Sequence, residues 1–120
     1  LLYTVIRQHR SEYPDPLIFS KGASLAIGEE YEGPEGWENW YFCSTADHAG
    51  GWVPGQIIDR IDESRGTARE DFCTRELDVD PGDVLWGHRD LNGWRWCSRE
   101  SDAKTGWVPL ENLAPIGGRP

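Results

Sequence analysis

The sequence predicts an all-β protein made of two small domains in tandem. Three observations predict it. A set of motifs occurs twice in the same order, the segments between Gly and Pro are short and rich in aromatic and β-branched residues, and no stretch carries the apolar period of a long helix.

The repeat comes first. Gly51-Trp52-Val53-Pro54 returns as Gly106-Trp107-Val108-Pro109, and Trp40-Tyr41-Phe42-Cys43-Ser44 returns as Trp94-Arg95-Trp96-Cys97-Ser98. Phe19-Ser20-Lys21-Gly22-Ala23-Ser24-Leu25 returns loosely as Val79-Asp80-Pro81-Gly82-Asp83-Val84-Leu85. One shared tetrapeptide could be chance, but three collinear matches are not. The length differences fall between the motifs, where loops belong.

The strands follow in order. Leu25-Ala26-Ile27-Gly28, Trp40 to Ser44, Gly51 to Val53 and Ile57-Ile58 read as strands in the first copy. Val84 to Gly87, Trp94 to Ser98, Gly106 to Val108 and Leu113 read so in the second. Helix beyond short turns is not expected. A single sandwich of all the strands is the alternative, and the repeat argues against it. The expected division is a first domain over 1–61, a short polar linker over 62–66, a second domain over 67–115 and a flexible tail over 116–120.

Domains this small bury only about 60% of their unfolded surface and need large side chains to make a core. Seven Trp, four Tyr and three Phe in 120 residues meet that need. The formal net charge is −9, shared as −6 over residues 1–62 and −3 over 63–120. Neither half offers the basic footprint that phosphate backbones require, so nucleic acid and anionic membrane are not expected partners. An acidic surface steers basic ligands or serves solubility alone.

Cys43, Cys73 and Cys97 are odd in number and lack metal-ligand spacing, so free thiols are expected, with no metal site and no cofactor. That usage suits a reducing, cytoplasmic compartment. Cys43 and Cys97 hold matching positions and read as small core residues. His9, His48 and His88 are scattered, and no catalytic motif is present, so a non-catalytic monomer is expected.

These motifs resemble the Src-homology 3 (SH3) family. Glu76 to Leu85 resembles that family's stretch from the long RT hairpin into its second strand. Gly93-Trp94-Arg95-Trp96-Cys97 resembles the strand opening with the ligand-facing tryptophan, and Gly106 to Pro109 the segment before a short 3₁₀ turn. The likeness is closer over 67–115 than over 3–61. It implies two five-stranded, partly open barrels and a binding module for a basic or proline-containing peptide.

Carried over residue by residue, it implies Trp94, Pro109, Trp40 and Pro54 as ligand contacts, with Phe72 at the edge of the second copy's patch. Glu76 and Asp78 would take a basic ligand side chain. Two tyrosine positions of the family hold Glu70 and Asn112 in the second copy, and Ile57 holds one of them in the first. The run Glu29 to Gly36 is an insertion where the family has its n-Src loop, beside the groove. Trp40 and Trp94 read either as ligand platforms or as seals of the barrel mouth or of the contact between domains; two barrels packed face to face with no open groove would make the chain a structural subunit. Recognition of cell-wall peptide or saccharide is a further alternative.

Overall fold

The structure is a computed structural model and describes residues 1–116. It is all-β, with no helix longer than a 3₁₀ turn among the described residues. In chain order the strands are β1 (Leu2–Val5), β2 (Ile18–Phe19), β3 (Ser24–Glu30), β4 (Trp40–Thr45), β5 (His48–Pro54), β6 (Ile58–Arg60), β7 (Arg65–Ala68), β8 (Phe72–Cys73), β9 (Val84–Leu91), β10 (Trp94–Arg99), β11 (Thr105–Pro109) and β12 (Leu113–Pro115). One 3₁₀ turn, Gly55–Ile57, follows β5 and another, Leu110–Asn112, follows β11. The strands expected from sequence fall within these strands except at Ile57, which ends the first 3₁₀ turn just before β6. The tail expected over 116–120 lies outside the described residues beyond Ile116.

The chain divides into two compact units. Unit 1 comprises Leu1–Pro14 and Arg75–Pro120, and unit 2 comprises Asp15–Thr74. Each holds one five-stranded antiparallel sheet, in the order β11-β10-β9-β1-β12 for unit 1 and β5-β4-β3-β7-β6 for unit 2. Neither sheet closes into a barrel. β2 and β8 form a separate two-stranded ladder within unit 2.

The division differs from the one expected from the repeat. The supposed linker over 62–66 lies inside unit 2, where residues 62–64 turn between β6 and β7 and Arg65 and Gly66 open β7. The two sheets match position by position, with β1 in one where β7 stands in the other. Tyr3 pairs with Leu85 and Val5 with Leu113; at the matching places Gly66 pairs with Leu25 and Ala68 with Ile58. The first strand of each repeat has joined the sheet of the other. Ladder hydrogen bonds are made by backbone, so a strand can complete either sheet without breaking the pattern that a sequence repeat reveals.

Alternation builds the cores. On β3, Leu25 and Ile27 point inward while Ser24 and Ala26 are exposed. In unit 1, Val5, Leu77, Val79, Leu85, Cys97 and Val108 form one buried cluster with Leu113 packed against it. In unit 2, Leu17, Phe19, Leu25, Cys43, Val53, Ile57 and Phe72 are buried, and the Phe19 and Phe72 rings lie 6.0 Å apart. Cys43 and Cys97 are fully buried at matching positions. Burial pushes their thiols up, to about 11 for Cys43 and about 12 for Cys97, against the smaller opposite pull of Arg60 and Arg95.

Candidate functional site

Each unit pairs a tryptophan with a proline across two strands: Trp94 with Pro109 on β10 and β11, Trp40 with Pro54 on β4 and β5. Two residues inward on the same faces lie Trp96 with Trp107, and Phe42 with Trp52. The repeat therefore places a four-residue aromatic and proline face on each sheet. Trp94 and Trp40 are only 8% and 7% exposed, and both prolines are buried. Neither tryptophan is an open platform in this structure.

Unit 1 covers its own face. The His9 ring stands edge-on to Trp94 at 5.3 Å, and its Nε2 is 2.8 Å from Glu76 Oε1. The Arg75 guanidinium lies 5.9 Å from the Trp96 ring centre. It is anchored by hydrogen bonds from Nε to the Thr105 carbonyl and from Nη2 to Thr105 Oγ1, both 3.1 Å.

The acidic segment is occupied as well. Asp78 Oδ1 accepts a hydrogen bond from the Ser11 amide at 2.7 Å, and Asp80 Oδ1 accepts from Gln8 and Arg10. Those two side chains hold the Asp80 carboxyl below the usual range. Glu76 and Asp78 help to line a cleft of about 570 Å³ with Tyr13, Arg75 and Lys104, a lining of mixed charge. Of the residues expected at one site, Glu76, Asp78, Trp94 and Pro109 do fall in unit 1. Phe72 does not: strand exchange carries it to unit 2 with Trp40 and Pro54, and His9 takes the matching place beside Trp94.

Unit 2 is built differently around the same face. Between β3 and β4 the chain makes a nine-residue loop where unit 1 has the tight turn Asn92-Gly93. The loop brings Tyr31 against Trp52 at 5.3 Å and 89°, and Trp37 against Tyr31 at 5.7 Å; Phe42 meets Trp52 at 5.1 Å. All four rings are half-buried. Tyr31 is fixed at both ends. Its amide donates to the Trp40 carbonyl at 2.8 Å, and its hydroxyl donates to Glu35 Oε1 at 2.7 Å.

The loop's far end is pinned by Asn39, in the left-handed region at φ 64°, whose carbonyl accepts from the Gly55 amide and whose Nδ2 donates to Gln56. Glu29 and Glu30 end β3, Glu32, Glu35 and Glu38 lie on the loop, and all five are exposed. Where unit 1 has Arg75, the matching residue of unit 2 is Asp15, paired with His48 at 3.2 Å.

The Glu29–Gly36 insertion is visible in the sequence, but nothing there joins Tyr31, Trp37 and Phe42 in one row with Trp52. The available signal is the longer connection itself, since a loop that adds two aromatics and three glutamates to one copy alone is more than a length difference. Among the described residues no helix is long and apolar enough to cross a membrane, and no cluster suits a metal ion. No protein-family profile, no curated protein and no solved structure matches this chain.

Proposed function

We propose that this chain is a non-catalytic binding module of two SH3-like folds, and that it recognises a basic, proline-containing segment of a protein partner on unit 2. The observation that carries the reading is the half-buried row Phe42, Trp52, Tyr31 and Trp37, with five exposed glutamates on the strand end and loop that hold Tyr31 and Trp37. Ring faces offer slots for prolines and stacking surfaces for a guanidinium, and nearby carboxylates hold a cation without forming a catalytic pair. Unit 2 carries four basic and twelve acidic side chains, net −8, against eight and nine, net −1, in unit 1. The acidic unit is thus the one that carries this row, and charge would steer a basic segment to it. In this reading Trp40, Pro54, Trp94 and Pro109 are structural, and the contact residues are Tyr31, Trp37 and Trp52.

Calorimetric titration with an arginine-flanked polyproline peptide, and with the same peptide carrying glutamate for arginine, tests this. The basic peptide should bind and lose affinity with salt, and Trp37→Ala should weaken it roughly thirtyfold or more. Equal binding of the acidic peptide, no binding of either, or full affinity in a folded Trp37→Ala protein would each overturn the reading.

A further inference from the structure

Matching strand positions in the two units are filled by residues of opposite size. In unit 1, Tyr3 on β1 stands opposite Leu85 and diagonal to Gly87 on β9. A Cβ on Gly87 would lie 2.7 Å from Tyr3 Cε2 and 2.8 Å from Arg95 Cδ, so the tyrosine ring and the arginine stem laid on it occupy the space that a side chain would take. The same ring carries the Arg95 guanidinium 4.1 Å from its centre, with Asp90 bonding that guanidinium through both oxygens. In unit 2 the place of Tyr3 is held by Gly66 on β7, and the place of Gly87 by Ile27 on β3. A Cβ on Gly66 would meet the Asp59 carbonyl oxygen at 2.7 Å, Ile58 Cγ2 at 2.8 Å and Ile27 Cδ1 at 3.2 Å. Large meets small in unit 1, and small meets large in unit 2.

An arrangement in which each sheet kept the first strand of its own repeat would reverse these fits. Tyr3 would enter a place with no room for a Cβ. Gly66 would lie beside Gly87, leaving a ring-sized gap next to Arg95, and both overpacking and cavities destabilise.

The polar residues after β1 agree. Arg7 pairs with Glu111, Gln8 and Arg10 with Asp80, His9 with Glu76, and the Ser11 amide with Asp78. The residues of the first repeat that match Glu76, Asp78 and Asp80 are Pro16, Ile18 and Ser20, none of them a carboxylate.

We propose that these matched sizes and charges encode the strand exchange. The slot between β9 and β12 accepts the first strand of the first repeat, and the slot between β3 and β6 accepts that of the second. The two repeats are therefore not independent domains, and the partner of each first strand is the other repeat of its own chain.

Nuclear Overhauser spectra of the wild-type chain should connect the Tyr3 ring to Gly87 Hα, while contacts from Tyr3 to the Ile27 methyl groups would overturn the proposal. Gly87→Ala should shift the folding equilibrium roughly 5–30-fold toward the unfolded state. Most of that loss should vanish when Tyr3→Gly is present too. An equal loss in both backgrounds would show that Tyr3 does not fill the Gly87 notch, and would overturn the size match.

Discussion

Unit 1 spends its aromatic face on itself, and unit 2 leaves its face half-exposed. The two have the same sheet order and the same Trp–Pro pairs, so the difference does not come from the strands. It comes from three substitutions of context. His9 stands beside Trp94 at the position that matches Phe72, Arg75 lies over Trp96 at the position that matches Asp15, and a two-residue turn replaces the loop with Tyr31 and Trp37. In unit 1 a cation stacks on Trp96 from within the chain. In unit 2 the residue that matches Arg75 is Asp15, and five exposed glutamates lie at positions 29, 30, 32, 35 and 38. One scaffold thus supports a closed face and a receptive one, decided by loops and by which first strand is supplied.

The largest expected effect concerns how the chain may be cut. Fragment 15–74 contains every strand of the unit 2 sheet, and we expect it to fold alone with a dispersed NMR spectrum. Fragments 1–63 and 64–120, cut between the repeats, each lack the strand that completes their sheet and should stay unfolded. A folded 64–120 fragment with an unfolded 15–74 would reverse the comparison.

A smaller effect separates the matching turns after the prolines. Ile57 is buried in an apolar setting and Ile57→Ala should cost about 2–5 kcal/mol in denaturant unfolding. Buried Asn112 instead donates from Nδ2 to the Arg7 and Gln8 carbonyls at 3.1 and 3.2 Å, tying the segment after β1 into unit 1. Asn112→Ala should cost about 1–3 kcal/mol, with amide exchange rising first around Arg7 and Gln8. An Asn112→Ala loss larger than that of Ile57→Ala would mean that the polar tie outweighs the apolar packing.

The buried thiols give both units an alkaline limit. Their folded pKa values are raised, so the native state keeps the proton where the unfolded state releases it. Their contribution is complete below the ordinary thiol value of 9.0 and is lost as pH rises toward about 11 for Cys43 and about 12 for Cys97. Relative to a Cys43→Ala/Cys97→Ala protein, wild type should lose stability between pH 9 and 10.5 and not between pH 7 and 8.5. Parallel profiles across the whole range would dismiss the effect.

The smallest expected effect lies at the exposed edge of the Tyr3–Arg95 stack. Asp90→Asn should cost about 0.2–1 kcal/mol, since its carboxylate is half-exposed and screened. The Arg95 hydrogen bonds hold the Asp90 carboxyl below the usual range, so this contribution is present above about pH 4 and fades as pH falls through the lowered value. Arg60 stacks on Tyr41 at 4.7 Å in unit 2, and Arg60→Ala gives the matched comparison.

The sequence by itself determined the strands, the repeat, the aromatic faces and the buried place of Cys43 and Cys97. Each of these follows from local composition and period, and those are visible along the chain. The position of the unit boundary was not legible, nor were the grouping of His9 with Trp94 and Phe72 with Trp40, the covering of unit 1's rings and the row through Tyr31 and Trp37. Only the tertiary structure decided them, because strand pairing is made by backbone groups that every residue shares. The choice between two equivalent slots rests on contacts such as Tyr3 with Gly87 and Gln8 with Asp80, which join residues more than 70 positions apart. A glycine that leaves room for a distant tyrosine looks in sequence like any other glycine.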